Sequence, residues 1–112
     1  MVGHLNRVEE EAVTKLKTLL SQKLGSNLNS VLLYGSKARG DYSNDSDIDI
    51  LVVAVTVTPD VKDIIRDAVL DIQLEYSLPI SAHIRSLDYF TTQQNNRLNL
   101  FIYNVEREGI RV

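Results

Sequence analysis

Apolar positions recur at spacings of three and four between residues 5 and 24. Leu5, Val8, Ala12, Val13, Leu16, Leu19, Leu20 and Leu24 form one stripe, which predicts an amphipathic helix. Glu9, Glu10 and Glu11 sit early in it and Lys15, Lys17 and Lys23 late, as the helix dipole favours. Gly25-Ser26-Asn27 is a stop signal. Val31-Leu32-Leu33-Tyr34 is a short apolar run that reads as a buried strand ending at Gly35-Ser36. Residues 36–46 are small, polar and charged, and predict a short helical turn followed by a loop. The strongest strand signal runs from Asp47 to Val57 through Ile48, Ile50, Leu51, Val52, Val53 and Val55. Thr58 as N-cap and Pro59 at the first helical position open a second helix, with Val61, Ile64, Ile65, Ala68, Val69 and Ile72 as its stripe and Leu74 as a candidate last member. Residues 79–85 alternate with period two and predict a third strand. Ser86-Leu87-Asp88 reads as the cap of a short helix, and residues 98–108 as a last helix closed by Gly109, before a short final strand. The order predicts an α/β (α+β) fold, a small mixed sheet with helices packed on one side.

Composition narrows the chemistry. The 112 residues are expected to form a single domain, 1–112, and 44 % apolar with 24 % charged residues is an ordinary globular balance. Twelve Lys+Arg face 15 Asp+Glu, a net charge of −3, so there is no direct nucleic-acid signal. The absence of cysteine excludes thiol catalysis and Cys-based metal sites, and His4 and His83 alone are too few for a multi-histidine site. The longest apolar run, residues 48–55, is broken by Asp49 and falls short of the ~20 residues of a membrane span. The first residues lack a signal-peptide pattern, and a cytoplasmic location is expected.

Two familiar loop motifs fail. Gly35 and Gly40 occupy the first and sixth positions of a Walker A loop, but Asp41 and Tyr42 stand where Lys and Ser/Thr are required. Asp45, Asp47 and Asp49 alternate like the start of an EF-hand loop, but Ile50 and Thr56 replace its Gly and Glu. What remains is a pair. Asp47 and Asp49, two residues apart at the head of an apolar strand, point to the same face with Cα atoms roughly 7 Å apart, while Ile48 and Ile50 point into the core. Paired strand acids repel each other, which a divalent metal explains better than a structural role does; a solvated turn over Asn44-Asp45-Ser46-Asp47 is the other reading of the spacing. Gly35 permits close approach, Ser36 offers a hydroxyl and a backbone N–H at the start of a helical turn, and Lys37 and Arg39 add positive charge. A phosphate seat beside a metal pair suits phosphoryl or nucleotidyl transfer.

Tyr34-Gly35-Ser36-Lys37-Ala38-Arg39-Gly40 followed by Ser46-Asp47-Ile48-Asp49-Ile50-Leu51-Val52 resembles the core motif of the minimal nucleotidyltransferases, within the DNA polymerase β-type superfamily. The family's Gly-Ser, ten residues, then Asp-x-Asp is met without a gap, and the strong part covers residues 31–53. The resemblance implies Mg²⁺ held by Asp47 and Asp49, and a nucleoside triphosphate seated on Gly35 and Ser36 with Lys37 and Arg39 nearby. It implies transfer of a nucleoside monophosphate, AMP from ATP, to a hydroxyl. It also implies a helical HEPN-type partner protein, to which such chains act as antitoxin; homo-oligomerisation is the other way to complete so small an enzyme.

The sequence departs from that family at one point. Active members carry a third carboxylate on a later strand, and residues 79–85 contain no acid. Ser81 or His83 faces the site, depending on register; Asp88 is the nearest acid downstream, and Asp41 and Asp45 lie in the motif loop. Two functions therefore stand. One is an active transferase with a substitute base. The other is a nucleotide-binding or partner-binding antitoxin subunit with weakened catalysis. Leu98, Leu100, Phe101, Ile102 and Tyr103, with Tyr89 and Phe90, exceed what one helix face needs, and an exposed interface patch is expected among them.

Overall fold

In the computed structural model, which describes residues 4–40, 47–94, 96 and 98–112 (for Ser36 the backbone alone), the first helix begins two residues later than its apolar stripe. Asn6 is the reason. Its side chain accepts from the Glu9 N–H at 2.8 Å, and Glu9 Oε1 accepts from the Asn6 N–H at 3.0 Å, a reciprocal capping box. Helix α1 then runs Arg7–Leu24 and passes through a 3₁₀ turn, Gly25–Asn27, into strand β1, Leu28–Tyr34. Helix α2 is a single turn, Ser36–Arg39, and β2 spans Ile48–Ala54. Strand β2 stops short of Val57 because Asn27 pulls the chain aside. The Asn27 side chain donates to the Thr56 carbonyl at 2.9 Å and accepts from its N–H at 2.8 Å.

Helix α3, Pro59–Tyr76, is capped by Thr58, whose Oγ1 accepts from the Val61 N–H at 3.1 Å. Strand β3 is Ile80–Ser86, and Ser86 caps α4, Leu87–Gln93. Helix α5, Leu100–Glu108, is capped by Asn99 rather than starting at 98, and β4 is Ile110–Arg111. The sheet order is β3-β2-β1-β4: β2 and β3 are parallel, joined through α3, and β1 is antiparallel to both β2 and β4.

The expected mixed sheet is present, and both of its faces are covered. Val31, Leu33, Ile48, Ile50 and Val52 pack against α1 and α3, through Leu16, Leu20, Ile65 and Ile72 among others. The expectation of helices on one side holds for these two long helices. The opposite face carries a smaller cluster, Leu32, Leu51 and Val53 with Val105, onto which Leu87, Phe90 and Phe101 of α4 and α5 pack. Strand β2 is consequently buried along its whole length except at Asp49, which is half-buried. The proposed aromatic and leucine patch divides. Ile102 is core and Phe90 and Phe101 join the second cluster, whereas Leu98, Leu100 and Tyr89 are exposed. No helix among the described residues is long and apolar enough to cross a membrane.

Candidate active site

Strand parity builds the site. In β2 the even residues Ile48, Ile50 and Val52 enter the larger core, so Asp49 points the other way with Leu51 and Val53. Asp47, exposed just ahead of the strand, falls on Asp49's side by the same parity. Asp49 pairs with Tyr34 on one neighbour and Ser81 on the other.

Gly35 follows Tyr34 directly and holds φ at +75°, a conformation open to glycine. A side chain here would meet the Asp49 carboxylate: a Cβ would run into Oδ2 and lie 3.2 Å from Cγ. The Gly-Ser turn and the first strand acid are therefore in contact. The Gly35 carbonyl accepts from the N–H groups of Ala38 and Arg39, both at 3.1 Å, which folds residues 36–39 into their single helical turn. Ser36 opens that turn. Asp41 and Asp45, the two acids of the motif loop, lie outside the described residues.

The two basic residues of the turn are not equivalent. Lys37 was expected beside the phosphates, but it is 1 % exposed and its Nζ lies 2.6 Å from Glu9 Oε2. Its charge is directed into the protein, against α1, because a buried ammonium needs a buried counter-charge. Arg39 is exposed; its Nη1 donates to both carboxylate oxygens of Glu108 at 2.9 and 3.1 Å, and its charge also acts on Asp49.

Burial raises the Asp49 carboxyl above its ordinary value, the Asp47 charge raises it further, and His83 and Arg39 oppose the shift. A carboxyl whose ionisation is opposed by burial and by a neighbouring carboxylate is part of a donor set short of positive charge. A divalent cation fits that deficit, and Asp47 and Asp49 are the residues that would hold it. No group of three potential metal-ligating side chains gathers among the described residues.

Register settles which groups of β3 face this pair. Ser81 stands level with Asp49 and His83 level with Leu51, so both share Asp49's face. His83 Nδ1 is 2.7 Å from the Tyr34 hydroxyl, and its ring lies 5.1 Å from that of Phe101. Burial and the Asp49 charge push the Tyr34 phenol up to about 12. Arg85, two residues on, lies over Phe101 at 5.4 Å and Tyr89 at 5.8 Å. Asp88 is not brought to the site. It opens α4 just past the far end of β3, and that end, where Ser86 pairs with Ala54, is about 17 Å along the strands from Asp49 at ~3.3 Å per residue.

Sequence reasoning missed Glu9, Arg85 and Phe101 as neighbours of the motif, and gave Tyr34, the motif's first residue, no role of its own. An open groove of about 570 Å³, lined by Arg7, Glu11, Lys15, Glu75 and Tyr76, shares no residue with the site.

Comparison with known proteins bears on the family and on the fold. The family described as nucleotidyltransferase domain matches residues 13–110. The chain is 36 % identical over 103 residues to a Methanocaldococcus jannaschii protein provisionally named a protein adenylyltransferase, covering 90 % of this chain and 94 % of that one. A second protein of that organism, with the same provisional name, is 33 % identical over 102 residues, covering 91 % and 96 %. Among solved structures, a chain from a variant MntA–HpeT toxin–antitoxin complex superposes with a TM-score of 0.54 at 18 % identity, covering 96 % of this chain and 72 % of that one. A chain from a toxin–antitoxin structure with AMP-PNP gives 0.54 at 19 % identity, covering 91 % and 70 %. At these identities the two structures share the fold.

Proposed function

The chain belongs to the nucleotidyltransferase domain family, and from that premise we propose that it transfers AMP from ATP, with Mg²⁺, to a hydroxyl of a partner protein. One observation carries the reading: the Asp49 carboxylate rests against Gly35, so the metal-binding pair and the Gly-Ser turn form one site. Asp47 and Asp49 would hold Mg²⁺, which when bound neutralises charge on the triphosphate and its leaving group. Gly35 and Ser36 would seat the phosphates, and Arg39 stands at the rim of the same turn. In the transfer the acceptor oxygen bonds to the α-phosphorus, the bond to the β-phosphate bridging oxygen breaks, and pyrophosphate leaves. The hydroxyl proton passes to a base. His83 is the side chain of β3 on Asp49's face that can accept a proton near neutral pH, it is oriented by Tyr34, and we assign it that role.

The adenylyltransferase relatives support a protein as acceptor. A HEPN-type helical partner and an antitoxin role follow from the family resemblance; the neighbours solved in toxin–antitoxin structures support only a toxin–antitoxin setting.

A second reading, a nucleotide-binding partner subunit with weakened catalysis, is favoured by the absence of any acid in β3. Incubation with radiolabelled ATP, Mg²⁺ and the neighbouring gene product separates the two. Label on the partner, lost in Asp47→Asn/Asp49→Asn and strongly reduced in His83→Ala, supports transfer. Metal-dependent ATP binding without label supports the second reading. If the wild type shows no ATP binding, neither holds.

A further inference from the structure

We propose that Glu9 is a positioning residue for the nucleotide site. Through its buried pair with Lys37 it clamps helix α2, and with α2 the Gly35–Ser36 turn, against the start of α1. The consequence for nucleotide binding rests on the function proposed above; the clamp rests on geometry alone.

Helix α2 is one turn long, and a single turn does not hold itself in water. Something outside it must fix its position. Three contacts do so from one short segment, residues 4–9, about 30 positions earlier in the chain. Lys37 Nζ reaches Glu9 Oε2 at 2.6 Å, with both side chains buried. The His4 N–H donates to the Lys37 carbonyl at 2.9 Å. The His4 ring packs on Gly40, where a Cβ would come within 2.9 Å of it. Glu9 is itself anchored, because its other oxygen closes the capping box with Asn6. One carboxylate thus joins the first turn of α1 to the turn that follows β1.

A buried ion pair is a weak device for stability, since desolvation consumes most of its attraction. It is a strong device for geometry, since displacing either partner leaves a charge buried alone. That asymmetry suits a turn whose value lies in where it is held. Lys37 therefore serves the site from behind, through Glu9, and not by touching a phosphate.

The test compares Glu9→Gln with Glu9→Gln/Lys37→Met. Glutamine keeps an oxygen for the Asn6 cap but turns an NH₂ towards the lysine, so it removes the clamp's charge and spares the helix start. Two readouts are used: amide hydrogen exchange at Ala38 and Arg39, which bond to the Gly35 carbonyl, and calorimetry with Mg·ATP. In Glu9→Gln, exchange at Ala38 and Arg39 should accelerate relative to α3, and Mg·ATP affinity should fall about tenfold, the lower end of what supporting partners contribute. The double variant removes the Lys37 charge as well but does not restore the clamp, so neither protection nor affinity should recover.

Wild-type protection and affinity in Glu9→Gln overturn the proposal. A double variant that regains protection also overturns it, because the single variant's effect then came from the uncompensated Lys37 charge and not from loss of the clamp. If wild type binds no Mg·ATP, the proposed function fails while exchange still decides the clamp. If Glu9→Gln does not fold, Glu9→Asp, one methylene short, takes its place: faster exchange at Ala38 and Arg39 is expected, and wild-type protection overturns the proposal.

Discussion

Asp49 sits in surroundings that work against its own charge. Burial and Asp47 raise its carboxyl above 3.8, and His83 and Arg39 offset only part of that. With the folded value above the unfolded one, its stabilising contribution is complete below 3.8 and is lost as pH rises through the raised value. At neutral pH, without metal, ionised Asp49 therefore burdens the fold. Asp49→Asn should raise Tm by a few degrees at pH 7 in chelator-treated buffer, the gain should vanish in acid, and Mg²⁺ should stabilise wild type but not the variant. A fall in Tm at pH 7 on this substitution would refute the account. Gly35→Ala tests the same contact from the other side. The new Cβ meets the Asp49 carboxylate at a backbone φ of +75°, so a loss of about 1–3 kcal/mol in denaturant melts is expected, with loss of metal-dependent ATP binding.

At the scale of elements, what could be read in advance was what local spacing encodes. The stripes of α1 and α3, the Thr58-Pro59 start and the parity of Asp47 and Asp49 depend on neighbours within a few residues, and each appears in the fold, except that Val8 and Leu74 of the stripes turn outward, 50 % and 71 % exposed. The ends of β2 and the burial of Lys37 were not legible, because they depend on Asn27 and Glu9, each 28 or 29 positions away. The register that puts Ser81 beside Asp49, and Asp88 at the far end, is likewise set between strands. Helix α5 illustrates the same limit. Its apolar excess looked like an interface, yet Phe101 stands edge-on to Tyr34 at 5.4 Å and also meets His83. Phe101→Ala should cost about 2 kcal/mol in a denaturant melt, less than a fully buried ring, and should loosen His83. An unchanged melt would show that α5 is not held by this residue.

For the whole molecule, the open question is how an acceptor is held. Transfer requires a hydroxyl in line with the α-phosphorus, and a chain whose two apolar clusters are closed by its own helices has little left with which to enclose a second substrate. A partner surface must supply that alignment, so the apolar groups this fold leaves uncovered are the natural place to look. Leu98 is 93 % exposed and Leu100 68 %, and Asn99 between them donates to the Tyr89 hydroxyl at 3.0 Å, drawing α4 and the start of α5 together. Leu98→Glu and Leu100→Glu remove no buried contact and should change stability by no more than about 0.5 kcal/mol. Both should weaken co-purification with the neighbouring gene product, and reduce label transfer to it, while Mg·ATP binding by the isolated chain is unaffected. Complex formation equal to wild type would place the interface elsewhere. If sedimentation shows a self-associated chain that dissociates on the same substitutions, and no neighbour binds, the surface serves a second copy of this chain and the helical partner should be abandoned.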